Sequence, residues 1–216
     1  MIGEDRRTRN LRGVYLITAP QRPMGRLVQT VAAALEGGVS LVQYRDKGTY
    51  SERERVEAGR GIRRLCRRHD VPFLVNDDPE LALRLGTDGV HVGRDDPSPR
   101  TARSRLGPEA IIGVTVYGTP DEEEAAESAG ADYLAIGTFF PSPTKPEKVP
   151  LPLTVLDEVV ARSHLPVFAI GGITAERARV LAEHGVAGVA VVSAIMDAEH
   201  PRVAAEEIRR AFEGTK

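Results

Sequence analysis

Gln43, Arg45 and Lys47 stand two residues apart at the end of a strongly apolar run. On an extended strand, alternate residues share a face. An amide, a guanidinium and an ammonium would then look the same way. Arginine offers a forked pair of donors and lysine a point charge, a combination suited to a dense anion. Asp77 and Asp96 end two further runs. As a pair they could act as acid and base, hold a metal or cap helices. Asp78, directly before Pro79, is the better placed cap, which leaves Asp77 for chemistry. Carboxylates beside a cationic anion site favour Mg2+ shared between protein and phosphate oxygens. The stretch "FFPSPTKPEK" (139–148) presents Ser142, Thr144 and Lys145 where a short turn into the next helix would be ordinary. No nucleophile has a base beside it. His69, His164, His184 and His200 fall at helix ends or in loops, where the helix dipole accounts for a cationic tip. His91 falls inside a strand, where packing accounts for it.

These residues need elements to carry them. Short apolar runs recur at 13–19, 40–46, 72–77, 88–93, 110–116, 132–137, 166–172 and 188–193. Their apolar residues are nearly continuous, as in strands buried on both faces of a parallel sheet. Segments of helical periodicity lie between them, with Ala178, Leu181 and Ala182 forming one stripe and Ala204, Ile208, Ala211 and Phe212 another. Ser51 with Glu54 and Thr119 with Glu122 fit capping boxes, and Pro79 and Pro120 fit first helical positions. Gly37–Gly38, Gly86, Gly130 and Gly185 close helices before the next strand. The alternation predicts an α/β fold, a (β/α)8 barrel, over 1–216 as one domain, with 1–12 a flexible N-terminal extension. An open doubly wound sheet is the rival, but "ITAPQRPMGR" after the first run contains no G-x-G-x-x-G. In a barrel the active site lies at the C-terminal strand ends, and the loops after strands 7 and 8 commonly bind phosphate. Gly171–Gly172 and Ser193 occupy those positions. The chain thus offers a strong, charged anion site and a second one with uncharged donors. Such equipment suits an enzyme that helps a diphosphate leave while holding an acceptor nearby.

Composition narrows the class. The chain has 216 residues, 41% hydrophobic and 28% charged, with a formal net charge of −2. No global basic field recruits nucleic acid or membrane, so anion binding must be local. Cys66, the single cysteine, sits at helical spacing from Val56, Gly59 and Ile62 and reads as a small buried apolar residue. "MIGEDRRTRN" lacks the apolar region of a signal peptide, and the expected location is the cytoplasm.

Together these residues resemble thiamine phosphate synthase, essentially from Val14 to Phe212. The motifs that carry the resemblance are "QYRDK" (43–47), "ND" (76–77), "GVHVGRDD" (89–96), "GVTVYG" (113–118), "GTFFPSPTK" (137–145), "AIGGI" (169–173) and "VVSAI" (191–195). The resemblance implies coupling of a 4-amino-2-methylpyrimidine diphosphate with a hydroxyethylthiazole phosphate, giving thiamine monophosphate and pyrophosphate. It implies Gln43, Arg45, Asp46, Lys47, Asn76, Thr115 and Lys145 at the pyrimidine diphosphate. It implies Arg45, Lys47 and Lys145 as the catalytic charges, and Asp77 and Asp96 as Mg2+ ligands. Ser142, Pro143, Thr144, Gly172, Val192 and Ser193 are implied at the thiazole phosphate. The implied mechanism is dissociative, with a pyrimidinylmethyl cation captured by the thiazole nitrogen. The expected partners are these small molecules, with neither nucleic acid nor membrane, and with self-association allowed. Arg94 stands where the family commonly has Gln, and Thr115 where Ser is frequent. Arg94 is expected to pair with Asp95 on the rim, because an inward guanidinium would compete with Mg2+ for Asp96. Two alternatives use the same barrel: a thiazole tautomerase, which has no use for a diphosphate clamp, and a non-catalytic phosphometabolite binder, which has no use for Asp77, Asp96 and Lys47 together.

Overall fold

The computed structural model of the chain describes residues 11–142, 144 and 146–214. Each apolar run becomes a strand: β1 (Gly13–Ile17), β2 (Leu41–Tyr44), β3 (Phe73–Asn76), β4 (Gly89–Val92), β5 (Ile111–Val116), β6 (Tyr133–Ile136), β7 (Val167–Ile170) and β8 (Gly188–Val191). All neighbouring pairs are parallel, and β8 returns to β1, so the sheet closes into a (β/α)8 barrel in strand order 1 to 8. The helices are α1 (Met24–Glu36), α2 (Glu52–Arg68), α3 (Pro79–Leu85), α4 (Pro99–Leu106), α5 (Pro120–Ser128), α6 (Leu153–Arg162), α7 (Ala175–Glu183), α8 (Ser193–Met196) and α9 (Pro201–Glu213). The short α8 is one helix more than the alternating pattern calls for. None of the described helices is long and apolar enough to cross a membrane.

Alternation along the strands explains the two cores. Val14 and Leu16 face the helices, in a cluster with Leu27, Val31 and Phe212. Tyr15 and Ile17 face the barrel axis with Leu41, Leu74, Tyr133 and Phe168. A sheet covered on both faces has no solvated side, hence the unbroken apolar runs. Leu11 is 3% exposed and belongs to the inner cluster, so the packed core includes residue 11, inside the expected 1–12 extension. Residues 1–10 lie outside the described residues.

Most start signals hold. Ser51 and Glu54 form the reciprocal capping box of α2, and Asp78 Oδ1 accepts from Leu81 N at 2.9 Å to cap α3. Thr119 does not cap α5 with its side chain. Glu122 is drawn instead to the end of β5, where its carboxylate accepts from Tyr117 N at 2.9 Å. On α9 the buried face runs through Ala205, Ile208 and Phe212, one position on from the Ala204 of the expected stripe. Cys66 is fully buried, and burial pushes its thiol up to about 12, which makes it an inert packing group.

Inside the barrel, Tyr15, Tyr133 and Phe168 meet edge to face with ring centroids 5.4–5.9 Å apart. The space for the Tyr133 ring comes from Gly113 on the neighbouring strand. A Cβ there would lie 2.0 Å from Tyr133 Cζ. The ring cannot swing aside, because its hydroxyl is bonded to Tyr15 at 2.8 Å and to His91 at 2.9 Å. Gly113→Ala is therefore expected to cost about 1–3 kcal/mol of unfolding free energy, the usual range for overpacking. Denaturant titration checks it, and an unchanged midpoint would show that the barrel yields there.

Candidate active site

At the C-terminal strand ends lies a cavity of about 380 Å3, walled by residues from all eight strand-end loops or strands. Gln43, Arg45, Lys47, Asn76, Asp77, Asp96 and Thr115 border it, as do Ser142, Thr144, Gly172, Val192 and Ser193. Pro143 and Lys145 lie outside the described residues. Asp46 does not border the cavity. Its carboxylate is buried toward α2, where Oδ1 accepts from Tyr50 N at 3.0 Å and Oδ2 pairs with Arg55 at 3.4 Å. On a continued strand it would alternate to that side, away from Arg45 and Lys47.

Lys47 reaches the cavity by a different route from the one its spacing suggests. β2 ends at Tyr44, and Lys47 sits in left-handed backbone with φ 55°. Asp77 does the same after β3, with φ 64°. Left-handed backbone is costly for residues with a Cβ and clusters at functional sites. Here the two turns bring Lys47 Nζ to 2.8 Å from Asp77 Oδ2. Asp77 also interacts directly with the Asp96 carboxylate, whose Oδ2 accepts from Gly93 N at 2.8 Å. Burial pushes the Asp77 carboxyl up, but hydrogen bonds from Lys47 and Asp96 outweigh it, and the net direction is down. Asp96 goes the other way, raised by burial and by the charge of Asp77. Two carboxylates held in contact with opposed shifts make a site with surplus negative charge. Arg45 is half-buried, and burial lowers its proton affinity against the attraction of Asp77.

The cavity floor carries a hydrogen-bonded chain that motif reading did not reach. Gln43 Nε2 donates to the Tyr15 hydroxyl, which meets the Tyr133 hydroxyl at 2.8 Å. Tyr133 in turn meets His91 Nδ1 at 2.9 Å, and His91 Nε2 meets Thr115 Oγ1 at 2.8 Å. Five side chains from five strands form one hydrogen-bonded chain across the barrel. Burial holds both phenols well above their ordinary range, so they stay protonated donors. His91 is packed as expected, stacked on Tyr133, and it also touches the cavity. The two tyrosines lie within the apolar runs at 13–19 and 132–137, and nothing in the sequence shows their rings meeting across the axis.

On the opposite wall, Gly171 and Gly172 have φ 104° and 62°. A Cβ on Gly171 would lie 1.9 Å from Thr138 Oγ1, and one on Gly172 would lie 2.3 Å from Pro141 O. These glycines let the loop after β6 pack against the loop after β7. Ser142 Oγ accepts from Thr144 N at 3.3 Å, which bends the loop back at the cavity.

Arg94 stays on the rim, but its partner is Glu122 rather than Asp95. Its guanidinium lies over the Tyr117 ring at 4.4 Å, and its side chain is 62% exposed. Glu122 prevails because Tyr117 N already orients its carboxylate. An exposed pair contributes about 0–1 kcal/mol. Arg94→Gln should therefore leave turnover, and any response of activity to the expected Mg2+, nearly unchanged. A markedly tighter apparent Mg2+ affinity or a large loss of turnover would place Arg94 inside the machinery.

The family model for thiamine monophosphate synthase matches residues 14–195. The chain belongs to that family. The thiamine-phosphate synthase of Thiobacillus denitrificans is 46% identical over 200 residues, which cover 93% of this chain and 94% of the relative. That of Nitrosococcus oceani is 42% identical over 207 residues, covering 94% of each. Among solved structures, thiamine phosphate pyrophosphorylase from Pyrococcus furiosus superposes with a TM-score of 0.85 at 38% identity, covering 95% of this chain and 98% of the other. Orotidine 5'-phosphate decarboxylase from Pyrococcus horikoshii, at 16% identity and a TM-score of 0.66, shares the barrel alone. As a thiamine monophosphate synthase family member, the chain is a transferase of thiamine biosynthesis.

Proposed function

We propose that the chain joins 4-amino-2-methyl-5-(diphosphooxymethyl)pyrimidine to 4-methyl-5-(2-phosphoethyl)thiazole, releasing pyrophosphate and forming thiamine monophosphate. One observation carries the reading: a single cavity has a charged wall of Arg45, Lys47, Asp77 and Asp96 facing a wall of hydroxyls and glycines, Ser142, Thr144, Gly172 and Ser193. The charged wall suits a diphosphate and the neutral wall a monophosphate.

In this reading the bond from the pyrimidinylmethyl carbon to oxygen breaks, and its electron pair leaves with the diphosphate. The thiazole nitrogen then donates its own pair to that carbon. Arg45 and Lys47, joined by Lys145 on the family resemblance, neutralise the departing charge. Gln43, Asn76 and Thr115 orient the aminopyrimidine. Ser142, Thr144, Val192 and Ser193 hold the thiazole phosphate in line behind it, which makes capture effectively intramolecular. The carboxylates fit Mg2+. They are hard oxygen donors in mutual contact, and among the described residues no third His, Cys, Asp or Glu completes a protein cage. Mg2+ characteristically takes one or two carboxylates and completes its shell with waters and phosphate oxygens. Held by Asp77 and Asp96, it would add positive charge where the diphosphate departs.

The test is to incubate both phosphorylated substrates with the chain and Mg2+ and to assay thiamine monophosphate and pyrophosphate together. Equal amounts of the two products, absent when either substrate is omitted, support the coupling. Isomerisation of a thiazole phosphate with no pyrophosphate released would overturn it in favour of a tautomerase.

A further inference from the structure

Thr18 follows the last residue of β1 and is fully buried. Its hydroxyl is engaged twice by one residue: Arg45 N donates to Thr18 Oγ1 at 2.9 Å, and Thr18 Oγ1 approaches Arg45 O at 3.2 Å. Its own backbone N–H donates to Gln43 O at 2.9 Å. The β1–β2 register ends with Ile17 opposite Gln43, and β2 itself stops at Tyr44. A side chain therefore continues the pairing at the residue where the backbone ladder gives out. Beyond Arg45 the chain turns at once into left-handed backbone at Lys47 and Gly48. On the β1 side it is Thr18 that holds the peptides flanking Arg45, while on the other side the β2–β3 register reaches only to Tyr44 opposite Val75. Threonine suits the task because branching at Cβ restricts its rotamers and so aims the hydroxyl. A valine of the same shape would leave the Arg45 N–H without its partner.

We propose that Thr18 is a positioning residue: by clamping the backbone of Arg45 from the neighbouring strand, it directs the Arg45 guanidinium into the cavity and onto a diphosphate. The inference rests on the proposed function, since it gives Arg45 that ligand. A merely structural Thr18 would finish the end of β1 and affect stability alone. The two roles separate in anion binding.

The probe is inorganic pyrophosphate with Mg2+, titrated calorimetrically into the full chain, with thermal melting alongside. Variants are Thr18→Val, Thr18→Ser, Arg45→Ala and the Thr18→Val/Arg45→Ala pair. Thr18→Val is expected to weaken pyrophosphate binding about tenfold, and Thr18→Ser, which keeps the hydroxyl, by no more than about twofold. In the Arg45→Ala background, Thr18→Val should change affinity no further, because the group it positions is gone. Should Thr18→Val not fold, Thr18→Ala is read by the same criteria. A lowered melting temperature with unchanged affinity, or an equal loss with and without Arg45, overturns the positioning role and leaves the function standing. Failure of the unsubstituted chain to bind pyrophosphate overturns the function and this inference with it.

Discussion

Asp77→Asn and Asp96→Asn are each expected to lower turnover by about 10²-fold or more, with the melting temperature close to that of the unsubstituted chain. The reason lies in what each carboxylate touches. Asp77 takes a hydrogen bond from Lys47 at 2.8 Å and contacts Asp96, while Asp96 is fixed by Gly93 N at 2.8 Å. An amide at either position keeps the size but removes the negative charge that would hold Mg2+, and in Asp77→Asn it also releases the Lys47 ammonium. Neither residue packs in the core, so stability should scarcely move. Steady-state rates across a Mg2+ titration, with circular dichroism melts, check both halves. If either variant matched the unsubstituted chain at limiting Mg2+, the assignment of the pair as metal ligands would be lost.

The second large effect belongs to Arg45. Arg45→Ala should lower kcat by roughly 10²–10³-fold, the cost of one preorganised donor aimed at developing charge. In the proposed reaction its contribution would grow as the diphosphate departs. The guanidinium is half-buried, and burial already works against its charge, with Asp77 the countering attraction. Water is partly excluded there, so a charge placed beside the departing group is less screened than one on the rim such as Arg94. Arg45→Lys should recover little, because a point charge does not replace a planar fork. The KM for the thiazole phosphate should be nearly unchanged, since that substrate would sit against the other wall. A variant with normal kcat and a raised KM for the thiazole phosphate would assign Arg45 to the wrong substrate.

The eight strands and most of the helix signals were legible because both rest on local physics. An apolar run buried on two faces looks the same wherever it lies in the barrel, and a cap such as Asp78 or Ser51 answers to residues three positions away. Closure then brought Gln43, Arg45, Asn76, Asp77, Asp96 and Thr115 to one cavity, because every parallel strand delivers its C-terminal end to the same face. What tertiary structure decided was each matter settled by a distant partner or by the backbone's departure from regularity. Lys47 arrives through a left-handed turn, which strand spacing cannot anticipate. Arg94 chose Glu122, 28 residues on, over adjacent Asp95, because Tyr117 N had already oriented that carboxylate. Asp46 turned toward Arg55, away from the cavity that its neighbours border. Tyr15 and Tyr133 meet 118 residues apart, and Thr18 meets Arg45 across 27. Residue types and their order determined which side chains would meet at one cavity; the hydrogen bonds that aim them exist only once the barrel has closed, because their two ends lie on different strands.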